Sequence, residues 1–202
     1  MKTSFHTIAE PSEGFYKDRG SKFMAFAWPV ENESEIKSIL EELWKKYHDA
    51  RHHCYAWKTG TNIPTARAND DGEPANSAGK PILNQIDKLG LTNILVVVIR
   101  YFGGTLLGVG GLINAYRTAT EIALQNSRII KKLIMVTYSV HFPYPVMNDV
   151  MKIIKVYRVE TYDQQFEISC SMKMAVELSK EKTVVRKLEL IEGFKADKLE
   201  NI

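Results

Sequence analysis

Cysteine is scarce in this chain. Its 202 residues include two, Cys54 and Cys170, set far apart, so no disulfide framework is implied. Long apolar runs are missing as well. The most apolar stretch, ILVVVI at Ile94–Ile99, has the length of a strand and falls well short of the roughly 20 residues that cross a bilayer. The N-terminal MKTSFHTIAEPSEG lacks the apolar centre of a secretory signal. Together these absences make a soluble, cytoplasmic protein with no membrane contact the expectation. Charge of one sign is not in excess: 27 basic against 24 acidic residues leave a net charge of +3. That balance does not demand nucleic acid, although a local basic patch stays open. Internal repeats and low-complexity segments are also missing.

What is present is a sequence 45% apolar, ample for a hydrophobic core. Residues 5–9 and 22–30 read as strands separated by a polar loop. Asn32 and Glu35 form a capping box ahead of a helix whose stripe is Ile36, Ile39, Leu40, Leu43 and Trp44. HHCYAWKTG reads as a strand. Residues 61–77 have no apolar periodicity and read as one long loop. Ser77 is expected to cap a short helix ending at Gly90, with Ile82, Leu83, Ile86 and Leu89 inward. TNILVVVIRYF is apolar on both faces and should be a central strand covered on both sides. LINAYRTATEIALQNS reads as a helix with Ile113, Tyr116, Ala119, Thr120, Ala123 and Leu124 on its inner side. Val96, Val98, Trp57 and Leu40 are expected to build this core.

The pattern changes near residue 130. LIMVTYSVHF and FEISCSMKMAVE alternate strictly, which describes a sheet with one wet face. With intervening helices near 146–156 and 179–191, a short strand near Val159 and a last strand near 194–199, the order is β-α-β-β-α-β. The fold class expected is α+β in two domains, residues 1–130 and 131–202.

RYFGGTLLGVGG, Arg100–Gly111, concentrates Gly103, Gly104, Gly108, Gly110 and Gly111 between a buried strand and a helix. Converging N–H groups at a helix start can hold an anion, and Arg100 would add charge. The spacing matches neither the Walker nor the dinucleotide fingerprint, so a nucleotide enzyme is disfavoured. Tight strand-to-helix packing explains the glycines equally well. Tyr101 and Phe102 could stack on bases or end a core strand. His52, His53 and Cys54 are metal-ligand types, yet adjacent strand residues face opposite ways and no CxxC or HExxH partner exists. No metal or other cofactor is therefore expected. Asp70, Asp71 and Glu73 could serve acid–base chemistry, but NDDGEP also reads as a turn.

HHCYAWKTG, NDDGEPANSAGKPIL and VVVIRYFGGTLLGVGGLINAY, in that order over residues 52–116, resemble the YigZ/IMPACT family of translation-associated proteins in its bacterial two-domain form. The resemblance implies an N-terminal domain similar to elongation factor G domain IV and a ferredoxin-like C-terminal domain similar to domain V. EPANSAG departs from the family's usual Ser/Thr-Gly pair, which bears on fine loop geometry. The role of the eukaryotic relatives, which oppose a stress kinase, depends on a further domain and does not carry over.

Three functions compete. The first is a non-catalytic module that contacts RNA, the ribosome or a translation-related protein through one face carrying the glycines, Arg100, Tyr101, Phe102, Arg117, His52, His53, Arg67, Asp70, Asp71, Glu73 and Lys80. The second is a peptidase-like hydrolase using His52 or His53 with Asp70, Asp71 or Glu73. The third is a protein-interaction regulator of translation without nucleic-acid contact. An enzyme needs these groups in one pocket; an RNA binder needs a broad basic face. Oligomeric state is left open.

Overall fold

Valine and isoleucine dominate residues 94–99, and every side chain from Ile94 to Arg100 is buried. β-Branched residues suit a pleated surface packed on both sides, and this segment becomes the centre of the first sheet. The computed structural model describes residues 2–199. The chain divides into two compact units, Met1–Lys132 and Leu133–Ile202. The first runs β1 (Ser4–Ile8), β2 (Ser12–Asp18), β3 (Ser21–Pro29), α1 (Glu33–Lys46), β4 (His52–Thr59), β5 (Thr65–Asn69), α2 (Gly79–Lys88), β6 (Ile94–Tyr101) and α3 (Gly108–Gln125), with β7 (Ile129–Leu133) at the boundary. Five strands form one sheet in the order β2-β3-β6-β4-β5, and β1 pairs with β7 separately. Neighbours in the large sheet are all antiparallel.

Both faces of that sheet are covered, so the core is double. Val96, Val98, Cys54 and Phe23 pack with Ile82 and Ile86 of α2 and Leu112, Tyr116 and Ala119 of α3. Leu95, Val97, Ile99, Tyr55 and Trp57 pack with Ile36, Leu40 and Leu43 of α1. The four expected core residues are thus all buried, but Val96 and Val98 lie on one face, and Trp57 and Leu40 on the other.

Several local expectations need correction. Residues 12–18, expected as a loop, pair as edge strand β2 across a tight turn. There Arg19 and Gly20 both take positive φ, as a two-residue hairpin turn requires. Part of the expected long loop is β5, an edge strand with nearly every side chain in solvent; with neither face covered, it leaves no apolar pattern. Trp44, Leu89 and Ile113 are more exposed than their stripes suggested, at 42%, 42% and 39%. Helix α3 starts at Gly108, so three of the glycines form its first turn.

The second unit runs β8 (Met135–Pro143), a 3₁₀ turn at Tyr144–Val146, α4 (Met147–Tyr157), β9 (Glu160–Phe166), β10 (Ser169–Glu177), α5 (Glu181–Glu189) and β11 (Lys195–Lys198). Its sheet is ordered β11-β8-β10-β9 and wholly antiparallel, the ferredoxin-like arrangement. Val136, Tyr138, Val140 and Phe142 meet Cys170, Met172, Met174 and Val176 beneath Val150, Ile154, Val184 and Leu188. Phe166 and Ile168, expected inward, are 43% and 93% exposed because the β9–β10 turn carries them out of the alternation. No helix among the described residues is long and apolar enough to cross a membrane.

Candidate functional site

β4 and β6 are neighbours, and His52 pairs in register with Arg100. The strand ends thereby bring the HH and RYFGG motifs together, and the turn after β5 folds back over them. Asp70 holds that turn in place. Its Oδ1 accepts the N–H groups of Ala78 (3.0 Å) and Gly79 (2.8 Å), and its Oδ2 accepts that of Asn76 (2.9 Å). A carboxylate on three N–H groups at the start of α2 is a helix cap. It replaces the expected cap by Ser77, whose hydroxyl donates to Pro74 O instead.

Glu73 is delivered by the same turn. Arg100 Nη1 donates to Glu73 Oε1 at 2.5 Å, and the side chains are 6% and 3% exposed. Tyr116 of α3 donates its hydroxyl to the same oxygen at 2.8 Å. His52 Nδ1 lies 2.7 Å from Asp71 O; a carbonyl can only accept, so Nδ1 carries the proton. His52 Nε2 then faces Glu73 Oε1 at 3.8 Å. The guanidinium sits 5.5 Å from the Phe23 ring centre and 5.7 Å from that of Phe102. Arg100, read from the sequence as a charge that would help hold an anion, has that charge buried and met by Glu73.

Above this network lies a groove of about 740 Å³, lined by Arg51, His52, Glu73, Pro74, Arg100 and Phe102 and by the α3 start from Leu106 to Val109 with Leu112. Phe102, Leu106 and Val109 are 49%, 82% and 53% exposed at its rim. So of the residues read from sequence, the groove gathers His52, Glu73, Arg100, Phe102 and Gly108. Arg51, Leu106 and Val109 were missed. The signal lay in apolar residues set among glycines, where no core periodicity accounts for them.

The others scatter. His53 faces α1, 6.3 Å from the Trp44 ring, and burial holds its pKa below the usual imidazole value. Its backbone N–H donates to Asp71 Oδ2 at 2.6 Å. The Tyr101 hydroxyl donates to Asp49 at 2.8 Å and is pushed up to about 12 by desolvation and that carboxylate. Arg67 lines a separate groove with Trp44 and Trp57. Arg117 is exposed and bonds Asn114; Lys80 is exposed on α2. The glycines divide by role. Gly103 packs: a Cβ there would lie 1.9 Å from Gly20 C, and its N–H donates to Ser21 Oγ. Gly104 and Gly108 supply positive φ, Gly110 borders open space, and Gly111 sits against Leu107.

The residues of the hydrolase reading are divided: His52 meets Glu73 in the groove, His53 lies on the opposite face with its Nδ1 3.9 Å from Asp71 Oδ2, and Asp70 is engaged as a cap. Cys54 is fully buried, with its thiol pushed up by burial and donating toward Asp70 O at 2.9 Å. No group of three or more His, Cys, Asp and Glu among the described residues is placed to hold a metal ion.

Residues 19–124 match the family described as the Impact N-terminal domain. The chain is 35% identical over 135 residues to the IMPACT family member YvyE of Bacillus subtilis (strain 168), a match covering 67% of this chain and 62% of that protein. It is 36% identical over 126 residues to the IMPACT family member YigZ of Escherichia coli (strain K12), covering 61% and 62%. The chain thus matches somewhat under two thirds of each relative's length. A crystal structure of a hypothetical protein aligns over 100% of both chains with a TM-score of 0.76 at 26% identity.

Proposed function

The chain belongs to the IMPACT family, and on that premise we propose that it is a non-catalytic binding protein that engages a translation-related protein partner through the groove face of its first unit. One observation carries the reading. Beneath the groove the Glu73 carboxylate is met by Arg100 and Tyr116, while Phe102, Leu106 and Val109 stand exposed at its rim. Paired charges beneath an apolar rim suit docking better than they suit acid–base chemistry or phosphate neutralisation. The translational setting, and with it a cytoplasmic one, comes from the family resemblance. Of the basic residues that an RNA face would use, Arg100 lines this groove with its charge met by Glu73, and Arg67, Arg117 and Lys80 do not gather there.

Co-sedimentation with purified ribosomes tests the reading, alongside anisotropy with a single-stranded RNA. Leu106→Asp changes a side chain already in solvent and should leave the melting temperature unchanged. It should weaken ribosome association about tenfold or more, the worth of one buried Leu, with a shallow salt dependence. Binding to RNA alone that falls steeply with salt and ignores Leu106→Asp would replace the protein partner by RNA.

A further inference from the structure

Phe102 is a wall shared by two hollows. One is the groove described above. The other, of about 410 Å³, is lined by Lys22, Met24, Tyr47, Asp49 and Tyr101. Met24 and Tyr47 in turn wall a third hollow of about 390 Å³, together with Phe15 and Phe26. Strand register explains the succession. Phe15 of β2 lies opposite Met24 of β3, and Lys22 of β3 lies opposite Tyr101 of β6; residues two apart on a strand share a face. Phe15, 53% exposed, thus extends the line of large apolar side chains that Phe102, Leu106 and Val109 leave in solvent. Apolar surface of this kind, rimmed by polar residues, marks an interaction site.

The charges along this strip are mostly of one sign, and the positive ones are unmatched. Lys17 lies directly opposite Lys22, and like charges across a strand pair cost stability. Lys46 Nζ sits 5.3 Å from the centre of the Tyr47 ring, and Arg51 lines the groove. The ion pairs that lysine and arginine make in the first unit use Lys58, Lys88, Arg100 and Lys132. Among the described residues, Lys17, Lys22, Lys46 and Arg51 enter none. Two of the acids on the strip are engaged: Asp49 accepts from the Tyr101 hydroxyl, and Glu73 holds Arg100. Glu13 stands at the far end, in the third hollow.

We propose that the strip binds an acidic segment of a partner polypeptide. Large apolar side chains of that segment fill the hollows on either side of Phe102, and its carboxylates meet Lys17, Lys22 and Arg51. The proposal rests on the groove face being the partner surface, and it names the chemistry of the partner there. An acidic segment supplies what the strip lacks: it relieves the Lys17–Lys22 opposition and covers the exposed apolar residues at once. Such charge complementarity sets which partner is chosen as much as how tightly it binds. An RNA strand fits less well. Its bases stack on aromatic faces, whereas Leu106, Val109 and Met24 are not aromatic and the Phe102 ring already has the Arg100 guanidinium 5.7 Å from its centre. Its phosphates would also pass the Asp49 carboxylate in the middle hollow.

The test measures, by fluorescence anisotropy, binding of the full chain to labelled Glu-Leu-Glu-Phe-Glu-Leu-Glu, to the same peptide with Gln for each Glu, and to the same peptide with Ser for Leu and Phe. The first should bind about tenfold tighter than either control, since a few exposed ion pairs multiply to that factor and a buried apolar side chain gives at least as much. Lys17→Glu sets an opposite charge across from Lys22. That variant should melt no lower than the parent and bind the acidic peptide about tenfold more weakly. Lys152→Glu makes the same change in net charge on α4 and should leave the affinity as it is. Equal binding of the acidic peptide and either control, or an equal loss with Lys152→Glu, overturns the proposal. So does a strip that ignores all the peptides and takes oligouridylate through Lys17, which would make RNA the partner. If Leu106→Asp abolishes ribosome association while the acidic and Gln peptides bind alike, the groove-face reading stands and the acidic partner falls. If the acidic peptide is preferred and Lys17→Glu weakens it, while Leu106→Asp leaves ribosome association intact, the acidic-segment site stands and the ribosomal reading of the groove face falls.

Discussion

Arg100 and Glu73 form a buried ion pair, Nη1 to Oε1 at 2.5 Å, with both side chains more than nine-tenths removed from solvent. The pair ties the end of β6 to the turn after β5, and Tyr116 ties the same carboxylate to α3. Arg100→Ala should destabilise the protein by about 3–5 kcal/mol, since the lost partner leaves a buried charge uncompensated. Glu73→Ala should cost a similar amount, and the double variant less than the sum of the singles. Urea unfolding of the three variants measures this; strictly additive losses would mean that the two groups do not act as a pair.

Asp70 is the second fixed point of the site. Its replacement by Ala leaves three N–H groups at and before the start of α2 without their acceptor. The expected loss is about 2 kcal/mol, the upper end for a helix cap. Hydrogen exchange should locate it: Asn76, Ala78 and Gly79 should lose protection first, while β6 keeps its own.

Two glycines of one motif should respond oppositely to alanine. At Gly103 a Cβ would overlap the backbone of Gly20 and Ser21, with contacts as short as 1.9 Å. The hairpin would have to move, so a large loss of stability is expected. At Gly110 the space is open and the backbone helical, so alanine should stabilise by about 0.5–1 kcal/mol through helix propensity. Thermal melts of the two variants that agreed in sign would contradict this division of roles.

His53 makes stability depend on pH. Burial lowers its folded-state pKa below 6.5, against an opposing pull from Asp71. Above the unfolded value neither state is protonated, and the native contribution is complete. As pH falls below about 6.5 the unfolded chain takes up a proton that the folded chain refuses, so stability drops until the lower folded value is reached. His53→Phe should lose less stability than the parent between pH 7.5 and 5.5, read as the shift in urea midpoint over that interval.

Most of the fold was legible because its elements are amphipathic on a regular period. The capping box at Asn32, the doubly covered strand at 94–101 and the β-α-β-β-α-β order of the second unit all follow from side-chain spacing. The edge strands β2 and β5 were not legible: β5 is bare to solvent, and β2 meets α3 through Gly14, so neither carries an apolar alternation. In the site, sequence brought out His52, Glu73 and Arg100 as chemically notable but could not say that Arg100 and Glu73 face inward to each other. That depends on the β4–β6 register and on Asp70 folding the turn back, both of which are long-range. Exposure of Leu106 and Val109 was hidden for a related reason. An apolar residue beside a helix start reads as core until the neighbouring elements are placed.

The last prediction concerns the thiol that a nucleophilic reading would need. Cys54 is fully buried between Asp70 O, at 2.9 Å, and the Tyr116 hydroxyl, at 3.3 Å, and that hydroxyl already donates to Glu73. Burial, with the carboxylates of Glu73, Asp71 and Asp70 adding to it, pushes the thiol well above its ordinary range, against the smaller opposing pull of the Tyr116 hydrogen bond. A thiol reacts as its thiolate, so native protein at pH 8 should give no rapid reaction with a disulfide reagent such as dithionitrobenzoate. Cys170 is buried as well, and both thiols should appear only as the chain opens. Reaction should therefore follow local or global unfolding, and Arg100→Ala should speed it at Cys54 more than at Cys170, because Arg100 stabilises the first unit. One fast equivalent from the native protein, mapped to Cys54, would show an accessible thiolate beside Tyr116 and Glu73 and put the hydrolase reading ahead of the binding one.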